Sequence, residues 1–319
     1  MITGGAGFVG RHLTTAILSR WPGAEVVWFS RDEGVSDSKE AWPIAVKSHV
    51  ADLCNAASVD EAMREIRPAI VLHLAAQSSV AQAGRAAHET WRTNFLGSFH
   101  LAESVASHAP EASLIFASTA NVYGLSFNNG NANEDTLPQP RDVYSRSKLA
   151  AEAMLSDVLS QQTRLIILRP TNHTGPGHDE RFALPSFAAQ IARIELGLAP
   201  PVLNIGNLDV ERDFLDIGDA IKAYISILDN LSQLPMRATY NVGSGQPINM
   251  KNLVDKMVKL ARVPVEVRVD PSRFRSDEVP SQSVGFDKLH AATSWKPTQS
   301  MDHTIVQLIE YWREQISRR

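Results

Sequence analysis

The 319-residue sequence holds a single cysteine, Cys54. That excludes an internal disulfide framework and a cysteine-rich metal site, and agrees with a reducing cytosol. No apolar run approaches the length of a membrane span, so no membrane partner is expected. The first residues go straight into a glycine turn, so no signal peptide is expected either. Lysine and arginine are scattered, the longest basic run is Arg318-Arg319, and the formal net charge is −4. Nucleic acid is therefore not an expected partner. Repeats and low-complexity tracts are absent too. What remains is 44% hydrophobic and 21% charged, the composition of a globular chain long enough for a full core and two lobes.

The chain begins with a strand stub, Met1-Ile2-Thr3, that turns through Gly4-Gly5-Ala6-Gly7-Phe8-Val9-Gly10 into a helix reaching about Arg20. Glycines at 4, 7 and 10 allow a tight turn, close approach to a pyrophosphate and close helix–strand packing. The N–H groups of the helix start, around Phe8 and Val9, then face the phosphates. A strand–turn–helix–strand context is what gives such a triplet meaning, and it is present here. Only three residues precede Gly4, short for a central strand of about five.

A second strand, Glu25–Phe29, ends at Ser30-Arg31-Asp32. An acid there would hold a ribose 2′-OH, whereas Arg accommodates a 2′-phosphate. Ser30 takes the acid's place and Arg31 follows, which favours NADP(H) over NAD; Asp32 competes if the strand runs longer. Asp52, beside Leu53, ends the Ser48–Asp52 strand and has two open roles, bonding an adenine amine or capping the helix from Ser58. Ala69–Leu74 reads as a buried strand, and the small residues of Ala75-Ala76-Gln77-Ser78 let a cofactor lie against the sheet's carboxyl edge. A helix over 88–107 carries Asn94, which reads as structural. Ser113–Ala117 is a further strand, and Thr119 just beyond it is placed to polarise a substrate carbonyl. Phe127–Pro140, rich in Asn and Pro, reads as a surface loop.

A helix-patterned segment to about Gln161 follows, opened by Asp142-Val143-Tyr144-Ser145-Arg146-Ser147-Lys148. Tyr144 and Lys148, four apart, share a helical face. An ammonium near the phenol is expected to lower its pKa, suiting a Tyr that gives or takes a proton near neutral pH.

The glycine turn, the Ala75-Ala76 corner, the Ser118-Thr119…Val122-Tyr123-Gly124 stretch and Tyr144…Lys148 together resemble the extended short-chain dehydrogenase/reductase family, in its sugar-nucleotide branch. The resemblance spans nearly the whole chain. It implies an α/β fold, a doubly wound parallel (Rossmann) sheet with a smaller, mostly helical C-terminal substrate lobe. The expected division is 1–170 and 207–245 for the NADP-binding domain, 171–206 and 246–319 for the lobe. The cofactor contacts so implied are Gly4, Gly7, Phe8, Val9, Gly10, Ser30, Arg31, Asp52, Leu53, Leu74, Ala75 and Ala76. Thr119 and Tyr144 would meet the substrate carbonyl, and Lys148 would hold the nicotinamide ribose and tune Tyr144. On the substrate side the family's pattern matches Asn172 for the sugar diphosphate, Arg212 for the phosphates, and Arg275 and Glu278 for diphosphate and nucleoside ribose, with Ser78 and Asn121 near the sugar. Family members usually dimerise by packing the Asn94 and Tyr144 helices into a four-helix bundle, and Leu149, Ala153 and Leu155 permit a homodimer of that kind.

Departures from the pattern narrow the chemistry. Thr119 is followed by Ala120 and Asn121, neither of which can protonate a leaving hydroxyl, so dehydration is not expected. The one thiol, Cys54, lies toward the adenine side, so thiol-assisted epimerisation is not expected either. His173 and His178 remain open between acid–base and positioning roles. A 4-ketoreductase or a 4-epimerase is left. An epimerase re-reduces its own intermediate with retained NAD and gains nothing from NADP, so Ser30-Arg31 favours the reductase. The Asn172-His173…Gly175-Pro176-Gly177 run, Leu184–Phe187 and Arg273–Val279 look most like GDP-4-keto-6-deoxy-mannose reductases, which form GDP-rhamnose. The expected substrate is thus a GDP-sugar and the expected site cytoplasmic. A UDP- or dTDP-sugar 4-epimerase is the first alternative and a non-catalytic NADP-binding sensor the second.

Overall fold

The computed structural model describes residues 1–31, 46–274 and 278–318. Runs such as Val71-Leu72 and Leu114-Ile115-Phe116 are buried completely or nearly so, as strands covered on both faces require. The main sheet holds β1 (Ile2–Thr3), β2 (Val27–Ser30), β3 (Lys47–Val50), β4 (Ile70–His73), β5 (Ser113–Ala117), β6 (Arg164–Pro170) and β7 (Arg237–Val242). Its spatial order is β7-β6-β5-β4-β1-β2-β3, every pairing parallel. The order reverses between β1 and β4, the crevice where doubly wound sheets take their ligands.

The helices alternate with these strands. They are α1 (Phe8–Arg20), α2 (Ala56–Ile66), α3 (Val80–Arg85), α4 (Ala87–Trp91), α5 (Gly97–His108), α6 (Val143–Val158), α7 (Ala183–Glu195), α8 (Ile217–Asp229), α9 (Met250–Lys259), α10 (Asp287–Thr293) and α11 (Met301–Ser317). One apolar cluster, with Leu101, Leu114 and Leu155, fills the α2–α5–α6 side. A second, with Leu13, Ile166 and Tyr224, fills the α1–α8 side and also takes Leu289 and Trp295 from the C-terminal part. A third core lies between α7, α9 and α11, around Phe187, Leu253, Met257, Leu308 and Trp312.

The first strand pairs on both sides: Ile2 with Trp28 and Leu72, Thr3 with Phe29 and His73. Met1 extends the contact, its amine donating to the Ile70 carbonyl at 2.8 Å. Three expectations need correction. The helix foreseen over 88–107 is broken into α4, a π-helical turn at Arg92–Leu96 and α5. Phe127–Pro140 is not simply a surface loop: Phe127 and Ala132 are buried, and Ala132 bridges to Val284. Leu155 is fully buried and cannot face a partner, whereas Ala153 is exposed. A step of four residues keeps Leu149 and Ala153 on one face, and two more turn Leu155 inward.

Candidate active site

The glycine turn sits at the carboxyl end of β1. Gly4 has φ +70°, and a Cβ there would lie 2.9 Å from the Ala75 backbone nitrogen, so only glycine lets the β1 and β4 ends approach this closely. A Cβ on Gly10 would strike the Gly4 carbonyl and the Gly5 backbone, whereas on Gly7, which is exposed, it would meet only the Gly4 carbonyl at 3.1 Å. Phe8 and Val9 open α1, whose first N–H groups have no intrahelical acceptors. This is an open cradle for an anion at a helix start. Ala75, Ala76 and Leu74 line its edge half-buried. Ser30 closes β2, with Arg31 exposed beside it. Asp32 lies outside the described residues. Asn55, not Asp52, caps α2 by accepting from the Ser58 N–H; the Asp52 carboxylate accepts from the Cys54 N–H at 2.9 Å. The Leu53 carbonyl is engaged by His100 at 2.9 Å.

Thr119, Tyr144 and Lys148 come together at the carboxyl end of β5. Asp142 and Ser145 form a reciprocal capping box that starts α6 and fixes Tyr144 on its first turn. The Thr119 hydroxyl lies beside the Tyr144 phenol, close enough to favour its charged form. Both residues are buried, and Lys148 is 1% exposed with its ammonium 4.0 Å from the centre of the Phe116 ring. The expected lowering of the Tyr144 pKa is not found. Burial pushes the phenol up to about 12, with Thr119 partly opposing and Asp142 adding to the rise. Lys148 is itself pushed down to about 7 by burial, which Glu152 counteracts. Desolvation of the pair outweighs the attraction expected between phenolate and ammonium.

The residues expected on the substrate side lie on other elements. Asn172 is exposed, its amide reaching the Asp213 carbonyl at 3.4 Å. Arg212 and Glu278 form an ion pair at 2.8 Å, and Asn207 also donates to Glu278. Arg275 lies outside the described residues. Ser78 is exposed, and the Asn121 N–H donates to the Thr119 hydroxyl at 3.2 Å. His178 stacks between Phe8 and Phe182, ring centres 4.3 and 4.4 Å away, and burial pushes it down to about 3. It is a neutral packing ring that fastens the 175–182 loop onto α1. His12 supports the same closure through the Pro176 carbonyl at 3.1 Å.

Two polar networks flank the trio; Asn94 takes in the first the structural role expected of it, and the other members were not foreseen from the sequence. In the first, Thr3 bonds His73 at 2.7 Å and His73 bonds Ser98 at 2.8 Å. Asn94, in the π-helical turn, accepts from the Gln77 N–H and donates to the Gln77 carbonyl and the Ser147 hydroxyl. In the second, Glu152 holds Arg169 through both carboxylate oxygens and accepts from Ser118. Arg169 continues to the Tyr123 hydroxyl, which donates to Asn241. The available signal was a polar or charged residue inside an apolar run at 73 and 152, and one closing such a run at 169.

A family model described as GDP-mannose 4,6 dehydratase matches residues 1–308. The chain is 31% identical over 317 residues to the GDP-6-deoxy-D-mannose reductase of Pseudomonas aeruginosa, covering 99% of this chain and 97% of that protein. Among solved structures it is similar to RMD from Pseudomonas aeruginosa complexed with NADPH, at 30% identity and a TM-score of 0.80, with 98% of both chains covered. It is also similar to the Thermus thermophilus UDP-glucose 4-epimerase complex with NAD, at 28% identity and a TM-score of 0.83 over 98% of both chains.

Proposed function

The chain belongs to the GDP-mannose 4,6-dehydratase family, within the extended short-chain dehydrogenases/reductases, and from that membership we propose that it is an NADPH-dependent reductase. Its substrate is a nucleotide-linked 4-keto-6-deoxy sugar, reduced at C4, with GDP-4-keto-6-deoxy-mannose giving GDP-rhamnose. The observation that carries the reading is the Thr119–Tyr144 hydroxyl pair beside the buried Lys148. A reductase relative and an NADPH-bound structural relative support the choice.

The open glycine cradle and the Ser30-Arg31 strand end fit a dinucleotide with a 2′-phosphate. Gly4, Gly7, Phe8, Val9 and Gly10 would hold its pyrophosphate, Ser30 and Arg31 the 2′-phosphate, and Asp52 and Leu53 the adenine. Leu74, Ala75 and Ala76 would back it along the sheet edge. Bound there, the reduced nicotinamide supplies the hydride. The chain does the rest. Tyr144, protonated at neutral pH because its phenol is pushed up to about 12, gives its proton to the oxygen at C4. Thr119 would donate to the same oxygen, a donor aimed at it as charge develops. Lys148 orients the nicotinamide ribose. Asn172 and Arg275 from the lobe formed by 171–206 and 246–319, together with Arg212 from the 207–245 segment, would bind the nucleotide diphosphate, with Glu278 at the nucleoside ribose and Ser78 and Asn121 at the sugar. Giving up the Glu278 contact on substrate arrival would turn the Nη2 edge of Arg212 toward phosphate oxygens, while Nη1 stays on the Glu211 and Val279 carbonyls. Ala120 and Asn121 offer no acid for a leaving hydroxyl, which argues against dehydration despite the family's name.

Nucleotide-sugar 4-ketones incubated with NADPH and with NADH, followed at the nicotinamide absorbance, test the proposal. Fastest oxidation of NADPH with GDP-4-keto-6-deoxy-mannose supports it. Turnover without added reductant, by protein that retains NAD⁺ on purification, would establish the 4-epimerase instead.

We place the reaction in the cytoplasm, where the lone thiol stays reduced; no helix among the described residues is long and apolar enough to cross a membrane. A homodimer through the Asn94 and Tyr144 helices is part of the same reading. Trp91 and Leu96 are more than a third exposed there, with Phe95 and Phe99 half-buried beside them. Leu96→Glu is expected to convert a sedimenting dimer to monomer; a wild-type chain that sediments as a monomer rejects this assembly.

A further inference from the structure

Glu152 and Arg169 take no part in the reaction as derived above, yet both are buried beside it. Glu152 lies one turn beyond Lys148 on α6, and Arg169 lies near the carboxyl end of β6. The pair is bidentate, Arg169 Nη2 to Glu152 Oε2 at 2.6 Å and Nε to Oε1 at 3.1 Å. Oε1 also accepts the Ser118 hydroxyl, the residue before Thr119. Arg169 Nη1 donates to the Tyr123 hydroxyl at 3.0 Å, and Tyr123 donates to Asn241 on β7 at 2.7 Å. Four elements are thus pinned to one carboxylate–guanidinium pair. A buried ion pair is weak evidence for stability as such, so its placement asks for another explanation.

We propose that the Glu152–Arg169 pair is a positioning device for the proton-donating end of the site. It locks the Ser118-Thr119 turn to the helix carrying Tyr144 and Lys148, and its carboxylate sets a negative charge beside the Lys148 ammonium. The groups that act on that ammonium are Glu152 from α6, His73 from β4 and the Phe116 ring from β5, with Tyr144 one turn before it on α6 and Arg169 on β6 paired to the same carboxylate. His73 is neutral, pushed down to about 3 by burial with Lys148 adding to the fall. Tyr144 is protonated and Phe116 offers only its ring face, so Glu152 is the anionic member of the group. Consistent with this, Glu152 opposes the fall in the Lys148 pKa caused by burial. Burial disfavours the Arg169 charge as well, but Glu152 and Tyr123 more than offset it, so the guanidinium stays charged.

The inference rests on the reductase reading for its kinetic arm only. In cofactor-free protein, the ¹³Cε resonance of Lys148 is titrated in wild type, Glu152→Gln and Glu152→Asp. Glu152→Gln is expected to lower the midpoint by about one pH unit, and Glu152→Asp, which keeps the charge, to restore it. In turnover, Ser118→Ala is expected to lower kcat roughly tenfold at unchanged KM for NADPH, because only the Thr119 turn is loosened. A folded Glu152→Gln with the wild-type midpoint overturns the proposal, and so does Ser118→Ala with the wild-type kcat. If Glu152→Gln does not fold, Ser118→Ala decides alone. A wild-type chain inactive on every ketone, with the Lys148 midpoint still moving, sinks the reductase reading and leaves the positioning role standing.

Discussion

Tyr144 is the residue at which burial and chemistry pull in different directions. A phenol pushed up to about 12 is securely protonated at pH 7, which suits an acid waiting for an alkoxide. Tyr144→Phe is expected to cut kcat by about 10²–10⁴, the worth of general acid help, while fluorescence titration still shows cofactor binding. Near-normal turnover would remove Tyr144 from its role. At the other end of the cofactor, Arg31→Ala is expected to raise the KM for NADPH severalfold, the loss of one charge-assisted contact, and to leave that for NADH unchanged. Equal effects on both would show that the 2′-phosphate is not read there. Tyr144, Lys148 and Thr119 were legible in the sequence because spacing along one helix and the end of one strand is a local property. The direction of the Tyr144 shift was not, since it depends on how much water the folded chain removes.

The π-helical turn at Arg92–Leu96 is the element that periodicity missed. It inserts a wider turn between α4 and α5 and delivers Asn94, fully buried, to Gln77 and Ser147. Ser147 in turn donates to the Tyr144 carbonyl at 2.7 Å, so the turn braces the start of the α6 helix. Asn94→Ala leaves the Gln77 N–H and carbonyl without this partner. Gln77 is only partly buried, so urea denaturation is expected to show a loss at the lower end for such groups, about 1 kcal/mol. An unchanged midpoint would mean that the Gln77 backbone finds other partners. Helix α6, by contrast, starts where the sequence placed it, after Asp142, and ends at Val158, three residues before the expected Gln161.

Across the whole molecule, acid should act through histidine. Burial holds His73 down to about 3 from an ordinary 6.5, and it lowers His12, His173 and His178 too. In each the folded value lies below the unfolded one, so the unfolded chain binds more protons as pH falls. The stability is fully present above about 6.5 and is lost progressively toward pH 3. Tm is therefore expected to drop between pH 7 and 5, and His73→Gln to flatten that drop; a Tm constant over this range would contradict it. The sequence by itself determined the glycine turn and the start of the helix that bears Tyr144, because turn chemistry and helical spacing are local; the doubly wound parallel sheet was implied by the family resemblance, and its strand order came only with the fold. Only the tertiary structure decided that Glu152, Arg169, Ser118 and Tyr123 meet behind Thr119, that Arg212 closes on Glu278, and that His178 packs against Phe8. Those contacts join residues from different strands and loops, and their distance along the chain leaves no trace in its local pattern.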